Sequence, residues 1–198
     1  MSPKQQRGEA TVERLLTTAL RVYADSGRQG FTVNAVTAAG GVSLGSLYHH
    51  FGSFDGLAAA LHVRCAEQLS GEVVASLART RTARTGVRAV VAAYLRFTEE
   101  HPDAALFLHA SAYPGRLVAD AHRGRADEDP LLAAVRAWLR PFVDAGEIAP
   151  TPEPLIEALV IGPVAATAHR WLSGAHDVDL AQAARVLPDR IWRSLRPE

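Results

Sequence analysis

The chain is predicted to be all-α, an N-terminal three-helix head followed by a C-terminal helical bundle, about nine helices together. Three observations carry this. Apolar residues recur at helical spacing along almost every segment, and no segment sustains the alternation of a half-buried strand. Near the start, two short helical stretches are separated by the paired glycines Gly40 and Gly41. At the end, residues 153–173 and 179–195 carry two long apolar stripes.

Taken in order, Val12, Leu15, Leu16, Ala19, Leu20 and Tyr23 form one face of a first helix that Gly27 is suited to end. A second, short helix runs from Thr32, whose hydroxyl suits an N-cap, through Ala39. The glycine pair breaks it, Val42 offers an apolar plug for the turn, and a third helix covers about Ser43 to Phe51. Ser53 caps a longer fourth helix with Leu57, Leu61, Cys65, Leu69 and Leu77 along its inner side. Residues 78–86, polar and arginine-rich, read as an exposed connection. Helix five spans about 87–100 and stops before His101-Pro102, because a residue preceding proline is pushed out of helical geometry. A sixth lies near 103–112, then a short helix and a charged loop before a helix over 131–146 that Pro141 bends. The two tail helices contain Pro163 and Pro188, and each should bend there.

Composition narrows the function classes. With 198 residues, 48% of them hydrophobic and 21% charged, the chain is long and apolar enough to bury a core and is not a disordered tail. No apolar run approaches the roughly 18 residues of a membrane span, and no signal peptide is visible, so a cytoplasmic protein without membrane partners is expected. A lone cysteine, Cys65, cannot form an intramolecular disulfide; its neighbours do little to activate it, so a small buried residue is expected. Net charge is zero, yet residues 1–52 hold five basic residues against three acidic ones. That surplus is too thin by itself to argue for nucleic acid.

Residues 40–57, GGVSLGSLYHHFGSFDGL, carry the chemistry. Two short helices joined by a tight glycine turn and flanked by longer helices are the ingredients of a helix-turn-helix, whose second helix enters the DNA major groove. Ser43, Gly45 and Ser46 are small enough to let the backbone approach a duplex. Thr32, Tyr48 and His50 are donors of the length and type that reach phosphate oxygens, while His49 points toward base edges. Leu47 and Phe51, four residues apart, should face inward. Adjacent histidines on a helix diverge by about 100°, so at least one faces outward. Such helix pairs also occur without DNA function, and on these residues alone a helical ligand-binding or interaction protein without an operator remains the alternative.

The stretch GFTVNAVTAAGGVSLGSLYHHFGSFDGL, residues 30–57, resembles the DNA-binding signature of the TetR family of bacterial one-component regulators, and the likeness extends back through ERLLTTALRVYADSG. The resemblance implies a DNA-binding domain over 1–52 and a ligand-binding and dimerisation domain over 53–198, in a homodimer acting on a palindromic double-stranded DNA operator. It also implies a small-molecule effector, most simply one that releases a repressor. Thr32, Asn34, Ser43, Leu44, Gly45, Ser46, Tyr48, His49 and His50 make up the DNA-binding set. Two positions depart from the family pattern. Phe54 stands where many members open the fourth helix with a phosphate-gripping lysine, and Leu44 stands where a basic or polar residue is frequent. The leucine suggests apolar contact with a thymine methyl instead of a hydrogen bond to guanine.

For the remainder, Phe97, His109, Tyr113 and Trp138 are the candidate lining of a mostly apolar effector pocket, among aromatics that also serve as core. Ile156, Leu159, Val160, Pro163, Val164, Thr167 and Trp171 on one tail helix, with Leu187 and Ile191 on the other, are the candidate dimer face. His101, His109 and His122 lack the spacing of a helical zinc site, and neither a nucleophile elbow nor a phosphate loop is present, so no metal, cofactor or catalytic residue is expected.

Overall fold

The computed structural model describes residues 3–110, 130–175 and 177–197. Among them are ten helices and no strand: α1 (Pro3–Gly30), α2 (Val33–Gly40), α3 (Leu44–Phe51), α4 (Phe54–Leu77), α5 (Ala83–Glu100), α6 (Pro102–Ala110), α7 (Pro130–Asp144), α8 (Glu153–Val160), α9 (Gly162–Leu172) and α10 (Leu180–Leu195). None is long and apolar enough to cross a membrane. The expected short helix and charged loop before α7 lie outside the described residues.

Two compact units divide the chain. One takes residues 1–65 with 106–126, the other 66–105 with 127–198. In the first, Leu15, Leu16, Ala19 and Tyr23 of α1, Val36 of α2, Leu47 of α3, and Leu57 and Leu61 of α4 are buried together. Their spacing is the predicted one, three or four residues along each helix, which places them on one face. A ring cluster completes this core. Tyr23 meets Phe31 edge-on at 5.4 Å and Phe107 at 4.8 Å, and Phe31 lies 4.9 Å from Phe54. Each such pair adds about 0.5–1.5 kcal/mol to what burial already contributes.

The second unit is organised around α5, which packs against α7, α9 and α10. Val87, Val90, Val91, Tyr94, Leu95 and Phe97 supply its buried side, and Val135 and Leu139 of α7, Val164 of α9, and Ile191 and Leu195 of α10 are buried in the same unit. α5 begins four residues earlier than expected. The Thr82 hydroxyl accepts from the Thr85 backbone N–H while the Thr85 hydroxyl accepts from that of Thr82, a reciprocal cap that pulls Ala83 and Gly86 into the helix. The penultimate helix divides at Ile161: Pro163 sits in the first turn of α9, where its missing N–H costs nothing, instead of bending one long helix. Pro141 and Pro188 are accommodated inside α7 and α10.

Candidate nucleic-acid interface and effector residues

α2 and α3 are held at a fixed turn by their own backbone. Gly41 takes the left-handed conformation, φ 59° and ψ 34°, and its N–H reaches the Ala38 carbonyl at 3.3 Å while that of Val42 reaches Thr37 at 3.2 Å. Only glycine adopts this geometry without strain. The caps are side chains of the expected DNA-binding set. Thr32 Oγ1 accepts from the Ala35 N–H at 3.2 Å and Ser43 Oγ from the Ser46 N–H at 3.1 Å. Each hydroxyl keeps its own proton to donate outward, which is what a phosphate oxygen requires.

Leu47 is fully buried and anchors α3, so the rest of the helix has a determined face. Leu44 and Tyr48, one turn apart, are 45% and 44% exposed, among the few large apolar side chains left open. Ser43, Gly45 and His49 are exposed beside them, as are Thr32 and Asn34 on the α2 side, whereas Ser46 and His50 are half-buried. The two imidazoles stand 5.2 Å apart. Phe51 is half-buried, as expected of an inward position. Phe54 is half-buried with its ring on Phe31, so this position serves the core of the head where a lysine would serve a phosphate. Arg64 is likewise engaged, bonded to Glu13 at 3.1 Å and Thr17 at 3.3 Å across α1 and α4.

Two of the candidate effector residues, Phe97 and Trp138, lie in the second unit and stand apart along α5. Phe97 is 1% exposed in the second unit, its ring 5.2 Å from that of His101. Trp138 lies in the same unit but against Gly86, three turns and about 16 Å along α5 from Phe97, with its ring 4.8 Å from Phe142. His109 is half-buried in the first unit, and Tyr113 lies outside the described residues. A cleft of about 270 Å³ opens elsewhere in the second unit, lined by Arg136, Leu139, Arg140, Val143, Asp144, Thr151 and Ile156.

On the tail the expected dimer face separates into two. Ile156, Val160 and Val164 are 0–5% exposed and Ile191 is 3% exposed, so the subunit's own core takes these four. Leu159, Pro163, Thr167, Trp171 and Leu187 remain partly open. The cause is a repeat of four: 156, 160, 164 and 168 point inward, and 155, 159, 163, 167 and 171 form a neighbouring outer stripe. Leu155, 55% exposed, extends that stripe, and Val186, 47% exposed, lies next to Leu187 on α10. Neither was singled out in the sequence. Among the described residues no three His, Cys, Asp or Glu side chains are grouped to hold a metal ion.

Residues 15–61 match the family model described as bacterial regulatory proteins, tetR family. The whole chain is similar in structure to a TetR family transcription regulator from Marinobacter aquaeolei VT8, at 22% identity and a TM-score of 0.75, over 98% of this chain and 100% of that one. It is similar to the transcriptional regulator FadR from Bacillus subtilis, solved in complex with stearoyl-CoA, at 14% identity and a TM-score of 0.76, over 92% and 98% of the two chains. A TetR-like transcriptional regulator from Rhodococcus sp. RHA1 shares 25% identity at a TM-score of 0.66, over 92% and 94%. No curated protein matches by sequence.

Proposed function

We propose that this chain, whose residues 15–61 match the tetR family of bacterial regulatory proteins, is a homodimeric repressor of that family that a small, mostly hydrophobic effector releases from a palindromic operator. The observation that carries the reading is the face of α3: Leu44, Gly45, Tyr48 and His49 are exposed on a helix that fully buried Leu47 holds in one orientation. A rigid helix with an open face of mixed apolar and hydrogen-bonding groups is what groove recognition demands. In this reading residues 1–52 bind DNA. Thr32, Asn34, Ser43, Ser46, Tyr48 and His50 position the head on phosphates, and Leu44 and His49 meet base edges, with Gly45 leaving room for the duplex. Residues 53–198 bind the effector and dimerise, the outer stripe of Leu159, Pro163, Thr167 and Trp171 meeting its copy across a two-fold axis together with Leu187. The Bacillus neighbour binds a long-chain acyl thioester. Trp138 and Phe97, well separated along α5, suit an extended apolar ligand better than a compact one.

Selection of bound sequences from random duplexes tests this directly. A palindromic consensus is expected. Tyr48→Phe should weaken binding to consensus and random DNA alike, whereas His49→Ala should relax preference at one position of each half-site, worth about 1–3 kcal/mol of discrimination. Equal losses on both DNA types for both variants would reverse the assignment of α3.

A further inference from the structure

We propose that the N-terminal part of α5 and the C-terminal part of α10 together form a binding site for a small multivalent oxyanion, a compound bearing a phosphoryl group or several carboxylates. This site is separate from the residues assigned above to DNA, effector or dimer contacts, and it stands whether or not that reading does.

The case begins with a charge imbalance. Arg84 and Arg88, one turn apart on α5, both point at Oδ1 of Asp189 on α10, at 3.0 Å and 3.9 Å. One turn further along α10 comes Arg193, and Arg196 follows directly after the helix; with Arg84, Asp189 and Trp192 they line a cleft of about 200 Å³. Three guanidinium groups line the cleft and a fourth, that of Arg88, lies 3.9 Å from the same carboxylate; among the described residues Asp189 is the only acidic one lining it. Among the described residues, neither Arg193 nor Arg196 has an ion pair with any carboxylate. Asp189 senses the cluster: the bonded Arg84, and then the charges of Arg88 and Arg193, hold its carboxyl below the usual range against a desolvation that opposes them.

Like charges at helical spacing on two packed helices repel one another, and among the described residues one carboxylate faces these four guanidinium groups. A divalent or trivalent anion in the cleft removes that repulsion. Guanidinium is the side chain whose planar fork matches phosphate and carboxylate oxygens two at a time, and its weak hydration lowers the cost of leaving water. Trp192, half-buried at the wall, offers a face on which a guanidinium can stack while it turns toward the ligand. The cleft is concave and small, which favours a discrete anion over a polymer backbone. Asp189 then acts as the resident competitor that keeps the arginines oriented when the site is empty of ligand.

The test is titration calorimetry of the full chain with pyrophosphate and, separately, with citrate, at ionic strength held constant with sodium chloride. Saturable binding of one anion per chain is expected. Arg84→Gln with Arg193→Gln should weaken it at least tenfold, Arg196→Gln about threefold or more, and Asp189→Asn should tighten it several-fold by removing the competitor. Response to pyrophosphate alone identifies a phosphoryl ligand, and response to citrate alone a polycarboxylate. Circular dichroism checks that each variant folds; should the double variant not fold, Arg196→Gln and Asp189→Asn decide. Heats indistinguishable from those of added chloride overturn the site. So does saturable binding that the arginine variants leave unchanged, or that Asp189→Asn weakens.

Discussion

At the residue scale, Cys65 shows how burial alone sets chemistry. It faces the inner side of α4 at 1% exposure, and desolvation pushes its thiol up to about 11 from 9.0, with the Arg64 guanidinium opposing part of the rise. The folded chain thus keeps a proton between about pH 9 and 11 that the unfolded chain releases. Folding stability falls as pH rises through this window, by roughly 2–3 kcal/mol over a two-unit shift. Urea unfolding at pH 8 and near pH 11 should show the chain losing about that much more than Cys65→Ala, and a disulfide reagent at pH 8 should find the native thiol nearly inert. Equal pH dependence of the two proteins would mean that the thiol ionises where it sits. That this cysteine is buried was legible in its place on the Leu57, Leu61, Leu69 stripe. The role of Phe54 was not. One aromatic side chain at a helix start looks the same whether it faces a phosphate or a core, and Phe31, which it packs on, is remote in sequence.

Elements were readable where their signals are local. The cap at Thr32, the left-handed Gly41 and the anchor Leu47 lie within sixteen residues, so the turn and the exposed face of α3 follow from spacing and glycine chemistry alone. Signals failed where the deciding partner is distant. Gly86 looked like the end of a polar loop; it lies inside α5, and it is a glycine there because the ring of Trp138, some fifty residues on, occupies the space a Cβ would need. On the tail, a period of four places the inward and outward stripes of α8 and α9 on adjacent positions, and hydropathy does not say which of Ile156 or Leu155 is inside. The Gly86 contact gives a prediction with opposing terms. An alanine there gains about 1 kcal/mol of helix propensity but overlaps the Trp138 ring, and overpacking costs about 1–3 kcal/mol. Gly86→Ala should therefore lower the unfolding free energy by up to about 2 kcal/mol, yet be neutral or stabilising in a Trp138→Leu background. A loss of equal size in both backgrounds would place the strain elsewhere.

For the whole molecule, regulation requires that a ligand in the second unit change what the head does on DNA. The covalent route is α4, whose residues 54–65 belong to the first unit and 66–77 to the second. In the proposed dimer two heads must stand about 34–36 Å apart to enter successive major grooves, so a small displacement of α4 in each protomer is enough to take them out of register. A ligand produces release only if it prefers the state in which the heads are out of register. A hundredfold preference is worth about 2.7 kcal/mol, and no tightness of binding substitutes for that difference. Trp138 supplies the measurement, since its ring stands between Gly86 of α5 and Phe142 of α7, on the side of α5 proposed to take an extended apolar ligand. In a chain whose Trp171 and Trp192 are replaced by Phe, hydrophobic ligands, long-chain acyl thioesters among them, should quench the remaining tryptophan and weaken operator binding over the same concentration range. Trp138→Ala in the otherwise unmodified chain should shift the loss of DNA binding to higher ligand concentration without changing operator affinity when ligand is absent. Quenching at saturation with DNA affinity untouched would leave a ligand site uncoupled from the head, and a constitutive DNA-binding protein would then be the better description.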